Sequence, residues 1–107
     1  MIDLKPEYLE EVRAILDRCV PDCEVLAFGS RVEGRARKHS DLDLIVKAEQ
    51  PLPLQRLAQL RECFMESALP IRVDVSDWHA VSPGFRARIL HRHEPVLNHA
   101  SSHVTRP

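Results

Sequence analysis

Apolar positions along this chain repeat with two periods, and the switches between them divide it into elements. Tyr8, Leu9, Val12, Ile15 and Leu16 recur at helical spacing, which predicts a helix with one buried face. Pro6 suits its first turn. Glu7, Glu10 and Glu11 lie where the helix dipole favours acids, and the helix is expected to end near Arg18, before Pro21. Glu24 to Phe28 is a short apolar run between Pro21-Asp22 and Gly29-Ser30, which reads as a buried strand. Asp43 to Val46 forms a second strand core. Pro51 and Pro53 then break the chain and open a helix. Its stripe is Leu54, Leu57, Leu60, Arg61 and Phe64, and it runs to about Ser67. Ile71 to Val75 alternates strictly, as a strand does. Ser82-Pro83 pairs an N-cap with a proline at the first helical position, and Phe85, Ile89 and Leu90 supply the buried stripe of a last helix ending near His93. The order α-β-(short α)-β-α-β-α predicts an α/β domain with a small central sheet flanked by helices.

Composition narrows the function. A chain of 107 residues is expected to form a single domain, taken here as 1–98, followed by a polar tail over 99–107. Hydrophobic residues make up 44%, too many for a disordered chain, and the net charge of -1 excludes a generic nucleic-acid binder. Attraction for anions must therefore be local, and the cations concentrate at Arg31, Arg35, Arg37 and Lys38. Three cysteines, Cys19, Cys23 and Cys63, are an odd number without regular spacing. That argues against a disulfide framework or a zinc site and for buried thiols in a reducing compartment. MIDLKPEYLEEV has no apolar signal-peptide core, and no apolar run reaches membrane-spanning length, so a cytoplasmic protein is expected.

The segment FGSRVEGRARKHSDLDLIVK carries the chemistry. Gly29 follows the first strand and permits an unusual backbone dihedral or close approach of a ligand. Ser30 is expected to cap the next short helix and leave its first N–H groups free for an anion, although Gly-Ser after a strand is by itself more often a plain turn. Asp41 and Asp43 stand two apart at the second strand and so share a face. Two such carboxylates repel unless a cation lies between them, and magnesium suits oxygen ligands and phosphate. A solvated turn is the plainer alternative. Asp74 lies on the third strand between Val73 and Val75. It reaches the other two acids if strands two and three pair side by side, and the helix between them favours a right-handed parallel crossover. Otherwise it is an exposed acid beside Arg72. His39 reads as a loop histidine, Trp78 as a packing residue, and His91 and His93 as residues on different helical faces, unsuited to a metal site.

Gly29-Ser30, Gly34, Ser40-Asp41, Asp43-Leu44 and the separated Asp74 resemble the nucleotidyltransferase superfamily that includes DNA polymerase beta. The fuller form GSRVEGRARKHSDLDL is similar to its minimal nucleotidyltransferase (MNT) branch. The resemblance implies a nucleotidyltransferase fold with a small mixed sheet. It assigns Gly29, Ser30, Arg31 and Arg35 to nucleotide binding. Asp41, Asp43 and Asp74 become the catalytic, metal-binding acids for one or two Mg²⁺ ions, with ATP as substrate. It further implies an antitoxin that transfers AMP to a tyrosine of a HEPN-domain RNase toxin, in a hetero-oligomer with that toxin and without direct contact to nucleic acid or membrane. Two alternatives stay open: neutralisation of the toxin by contact alone, and nucleotidyl transfer to a small molecule.

Overall fold

The computed structural model describes residues 1–98, and the expected tail 99–107 lies outside the described residues. Helix α1 spans Pro6–Cys19 with Pro6 in its first turn, and it buries Val12, Ile15 and Leu16. Strand β1, Glu24–Phe28, leads into the four-residue helix α2, Ser30–Glu33. Strand β2 is Leu42–Lys47, helix α3 is Leu54–Met65 and strand β3 is Val73–Asp77. After a short 3-10 turn at Trp78–Ala80, helix α4 spans Pro83–His91 and strand β4 spans Glu94–Asn98.

The sheet is mixed, in the order β3-β2-β1-β4. β1 pairs antiparallel with both β2 and β4, while β2 and β3 run parallel across the α3 crossover. Period-two alternation sorts the strand residues onto two faces. Val25, Ala27, Leu42, Leu44, Val46 and Val75 pack with α1 and α3 in the main core. Leu26 and Ile45 face the other way and meet Ile89 of α4, with Phe28, Trp78 and Phe85 around them. Asp43 and Asp74 belong to this second face, so α4 shares it with the acids.

Several expectations need correction. β4 was not anticipated, because Glu94-Pro95 opens it with a charge and a residue that lacks an N–H. The third strand lies two residues later than the alternation suggests, and α3 and α4 each end two residues earlier. Leu54 is 84% exposed and Leu90 47% exposed, so neither joins the core. Leu52 is buried instead, its N–H donating to Asp77 Oδ2 at 2.9 Å. Asp77 also accepts the His79 N–H at 3.0 Å, so a buried acid is fully used in tying the turn after β3 to the loop before α3. On the open side of β3, Arg61 donates to the Val75 carbonyl through Nη2 at 2.7 Å and Nε at 3.2 Å, which blunts the exposed edge. Ser82 caps α4 as expected, accepting the Phe85 N–H at 3.1 Å.

Trp78 packs beside the second core cluster, with Lys47 Nζ 4.8 Å from its ring centre and Arg86 5.3 Å from it. All three cysteines are free. Cys23 is buried, while Cys19 and Cys63 are half-buried with their sulfurs 3.4 Å apart. No described helix is long and apolar enough to cross a membrane.

Candidate active site

Strand register brings the predicted acids together. Phe28 of β1 stands opposite Asp43 of β2, and Asp43 stands beside Asp74 of β3. Asp41 precedes β2 directly, where the Leu42 N–H reaches across to the Arg72 carbonyl at 2.9 Å. Asp41 and Asp74 are exposed and Asp43 is half-buried. Burial pushes the Asp43 carboxyl up to about 6, and the negative charges of Asp74 and then Asp41 push it the same way. Asp43 thus resists ionisation beside two other acids, and a cation would relieve it.

Gly29 closes the patch on the β1 side. Its backbone is at φ 82 and ψ -157, and an added Cβ would stand 2.3 Å from Asp43 Oδ2. Glycine is therefore required by conformation, and a side chain here would displace the Asp43 carboxylate. Ser30 corrects an expectation here. Gly29 is the N-cap of α2 and uses no side chain to cap it, while Ser30 is the first helical residue.

Arg31 also lies elsewhere than the resemblance implies. It is 7% exposed, and its guanidinium donates to four backbone carbonyls: Asp3 at 2.7 Å, Ser40 at 2.9 Å, Lys38 at 3.3 Å and Arg37 at 3.4 Å. Its donors are spent on folding the 37–40 loop that delivers Asp41, which makes Arg31 a positioning residue. Ser40 helps, accepting the Arg37 N–H through its hydroxyl at 2.8 Å. Arg35 remains at the surface, donating to Glu33 Oε1 at 2.8 and 3.0 Å. His39 is exposed on the same loop.

Residues 11–101 match the family described as Polymerase beta, Nucleotidyltransferase. The chain belongs to that nucleotidyltransferase family. It is 44% identical over 106 residues to Probable protein adenylyltransferase MntA of Haemophilus influenzae, an alignment covering 99% of this chain and 92% of that protein. Among solved structures, a toxin–antitoxin with AMP-PNP superposes with a TM-score of 0.71 at 20% identity, over 90% of this chain and 78% of that one. A tri-AMPylated Shewanella oneidensis HEPN toxin in complex with MNT antitoxin gives 0.67 at 17% identity, over 94% and 79%. At these identities the two structures establish the nucleotidyltransferase fold, which the mixed four-stranded sheet shares.

A nucleotidyltransferase also needs room for its nucleotide. A cleft of about 590 Å³ opens beside Gly29, between β1 and α4, with Phe28, Arg35, Phe85, Arg88 and Arg92 among its walls. Phe28 and Phe85 meet edge to face, ring centres 5.6 Å apart. None of the three acids lines this cleft, which reaches them only at Gly29. Arg88 and Arg92 escape a reading by sequence. Arg88 lies one helical turn beyond Phe85 on α4, while Arg92 is the C-cap that follows the helix, and both are exposed at the mouth of the cleft.

Proposed function

We propose that this chain is a Mg²⁺-dependent protein adenylyltransferase. It transfers AMP from ATP to a tyrosine hydroxyl of a HEPN-domain RNase toxin and acts in the cytoplasm as that toxin's antitoxin. The observation that carries the proposal is the register placing Asp43 against Asp74 and Gly29, with Asp41 within electrostatic reach. The related MntA protein and the AMPylated HEPN complex support the acceptor and the partner. Three free thiols and an ATP substrate suit a reducing compartment.

The donor set fits magnesium. It is all oxygen, and burial together with the neighbouring charges of Asp74 and Asp41 raises Asp43. Among the described residues no three His, Cys, Asp or Glu side chains stand together closely enough to hold a metal ion as placed. Magnesium takes one or two carboxylates from a protein and keeps water and phosphate in its remaining positions. Asp43 and Asp74, paired across β2 and β3, would hold it first, with Asp41 adding its negative charge beside them. When bound, the ion offsets phosphate charge and polarises the α-phosphoryl group. The protein's own residues do the rest. Gly29 lets the nucleotide approach Asp43, Arg31 holds the loop carrying Asp41, and Asp74 at the sheet edge accepts the proton of the incoming hydroxyl.

Co-expression with the toxin separates catalysis from contact. The Asp41→Ala/Asp43→Ala variant is expected to bind the toxin and fail to neutralise it. Neutralisation by that variant would show that contact alone suffices and would overturn the proposal.

A further inference from the structure

We propose that Arg88 and Arg92 of the α4 end hold the β- and γ-phosphates of the nucleotide, and then the pyrophosphate, in the cleft beside Gly29; this rests on the reading given under Proposed function. The acids are ordered across the sheet. Gly29 follows β1, Asp43 lies on β2, and Asp74 lies on β3 at the edge. In phosphoryl transfer the attacking and leaving oxygens lie roughly in line across the phosphorus. With the incoming hydroxyl at Asp74, the leaving group points toward β1, where the cleft opens.

The balance of the step is simple. The acceptor oxygen bonds to the α-phosphorus and gives its proton to the Asp74 carboxylate. The bond from the α-phosphorus to the oxygen bridging to the β-phosphate breaks, and that oxygen leaves with the electron pair as pyrophosphate. A polyanion then sits where the protein must supply cations.

The cleft supplies them. Arg35, Arg88 and Arg92 line it together with a single acid, Glu33. Arg35 is committed to Glu33, and it holds the Glu33 carboxyl below the usual carboxylate range, with Arg92 and Arg88 adding to the pull. Beyond that pull, Arg88 and Arg92 make no side-chain hydrogen bond or ion pair among the described residues. Arg88 lies one turn beyond Phe85 on α4 and adjoins Ile89, which is 2% exposed against the sheet and so fixes the helix there, and Arg92 is the C-cap that follows the helix. A favourable interaction with the helix dipole would account for basic residues at this end of α4, but not for both of them lining the same cleft as Gly29. The volume suits a nucleotide-sized ligand. Arginine is the residue best shaped for phosphate oxygens.

Calorimetric titration of the full chain with Mg²⁺ and, in turn, ATP, pyrophosphate and AMP tests this. The Arg88→Ala/Arg92→Ala variant is expected to lose about tenfold or more in affinity for ATP and pyrophosphate, as the loss of charge-assisted bonds predicts, and to bind AMP as the parent does. The Arg88→Lys/Arg92→Lys variant is expected to recover part of the loss. Equal binding of ATP and pyrophosphate by parent and alanine variant would overturn the inference and leave the adenylyltransferase reading standing. An equal loss for AMP would also overturn it, because the effect would then not be specific to the outer phosphates. Failure of the parent to bind any of the three would overturn both.

Discussion

Replacing Gly29 with alanine tests whether the glycine serves the acids or merely the turn. At φ 82 and ψ -157 the backbone lies where essentially only glycine is found, so alanine costs on the order of 1–3 kcal/mol. The new methyl would also stand 2.3 Å from Asp43 Oδ2 and 3.2 Å from its carboxyl carbon. A carboxylate at the end of a side chain can rotate away, so this clash adds little to the loss of stability. It falls on function instead, because the carboxylate that moves is the middle acid of the site. Gly34→Ala is the control. Gly34 also has a positive φ, 77, but an added Cβ would meet nothing within 4 Å. Its cost is backbone strain alone, about 1–2 kcal/mol. Thermal denaturation followed by circular dichroism is expected to show both variants folded. At about 4–8 °C per kcal/mol for a domain of this size, Gly29→Ala is expected to melt roughly 5–20 °C lower. AMP transfer to the toxin, measured beside it, is expected to fall about a hundredfold for Gly29→Ala, the effect of misplacing a reacting group by an ångström. Gly34→Ala is expected to transfer normally. Equal transfer by the two variants would refute the claim that Gly29 exists to let Asp43 stand where it does.

Other perturbations follow from the same geometry. Arg31→Lys leaves one ammonium to serve carbonyls that a planar guanidinium now spans, and it is expected to lower both urea stability, by about 3 kcal/mol, and AMP transfer; unchanged transfer would deny Arg31 its positioning role. Asp43 sets a pH dependence in metal-free buffer. Its carboxyl is raised from 3.8 to about 6, so the folded chain holds a proton that the unfolded chain has released, and stability falls as pH rises through that window. Asp43→Asn is expected to abolish this fall and to melt higher than the parent at pH 7. The depressed carboxyls of Asp22, Glu33 and Glu94 act in the opposite direction at lower pH and cancel in the comparison. Leu60, fully buried between α3 and the sheet, is expected to cost about 2–5 kcal/mol when cut to alanine while leaving the site's chemistry intact, as measured by denaturant melts and transfer assays on the folded fraction.

The sequence made the acids legible because strands impose strict geometry. A helix between β2 and β3 made their parallel pairing, and so the Asp43–Asp74 register, the natural outcome, whereas Asp41 precedes β2 and is not placed by strand alternation. What stayed hidden depends on partners rather than on pattern. Arg31 shows its charge in the sequence, but the four carbonyls that absorb it carry no residue signature. Leu54 fits the helical stripe of α3 by spacing, yet it sits at the first helical position and points to water. Leu90 adjoins a helical face already filled by Ile89. β4 is an edge strand whose proline breaks the apolar alternation, and its pairing with β1 passes through an irregularity between Val25 and Leu26. The basic cleft forms only when α4 folds back across the second face of the sheet, which no local pattern announces.

One measurement bears most directly on the central claim. The chain is mixed with its HEPN partner, Mg²⁺ and α-labelled ATP, beside the Asp41→Ala/Asp43→Ala variant, and label on the partner is followed. The account predicts label on a partner tyrosine with the parent and none with the variant. A stable, unlabelled complex with the parent would contradict it.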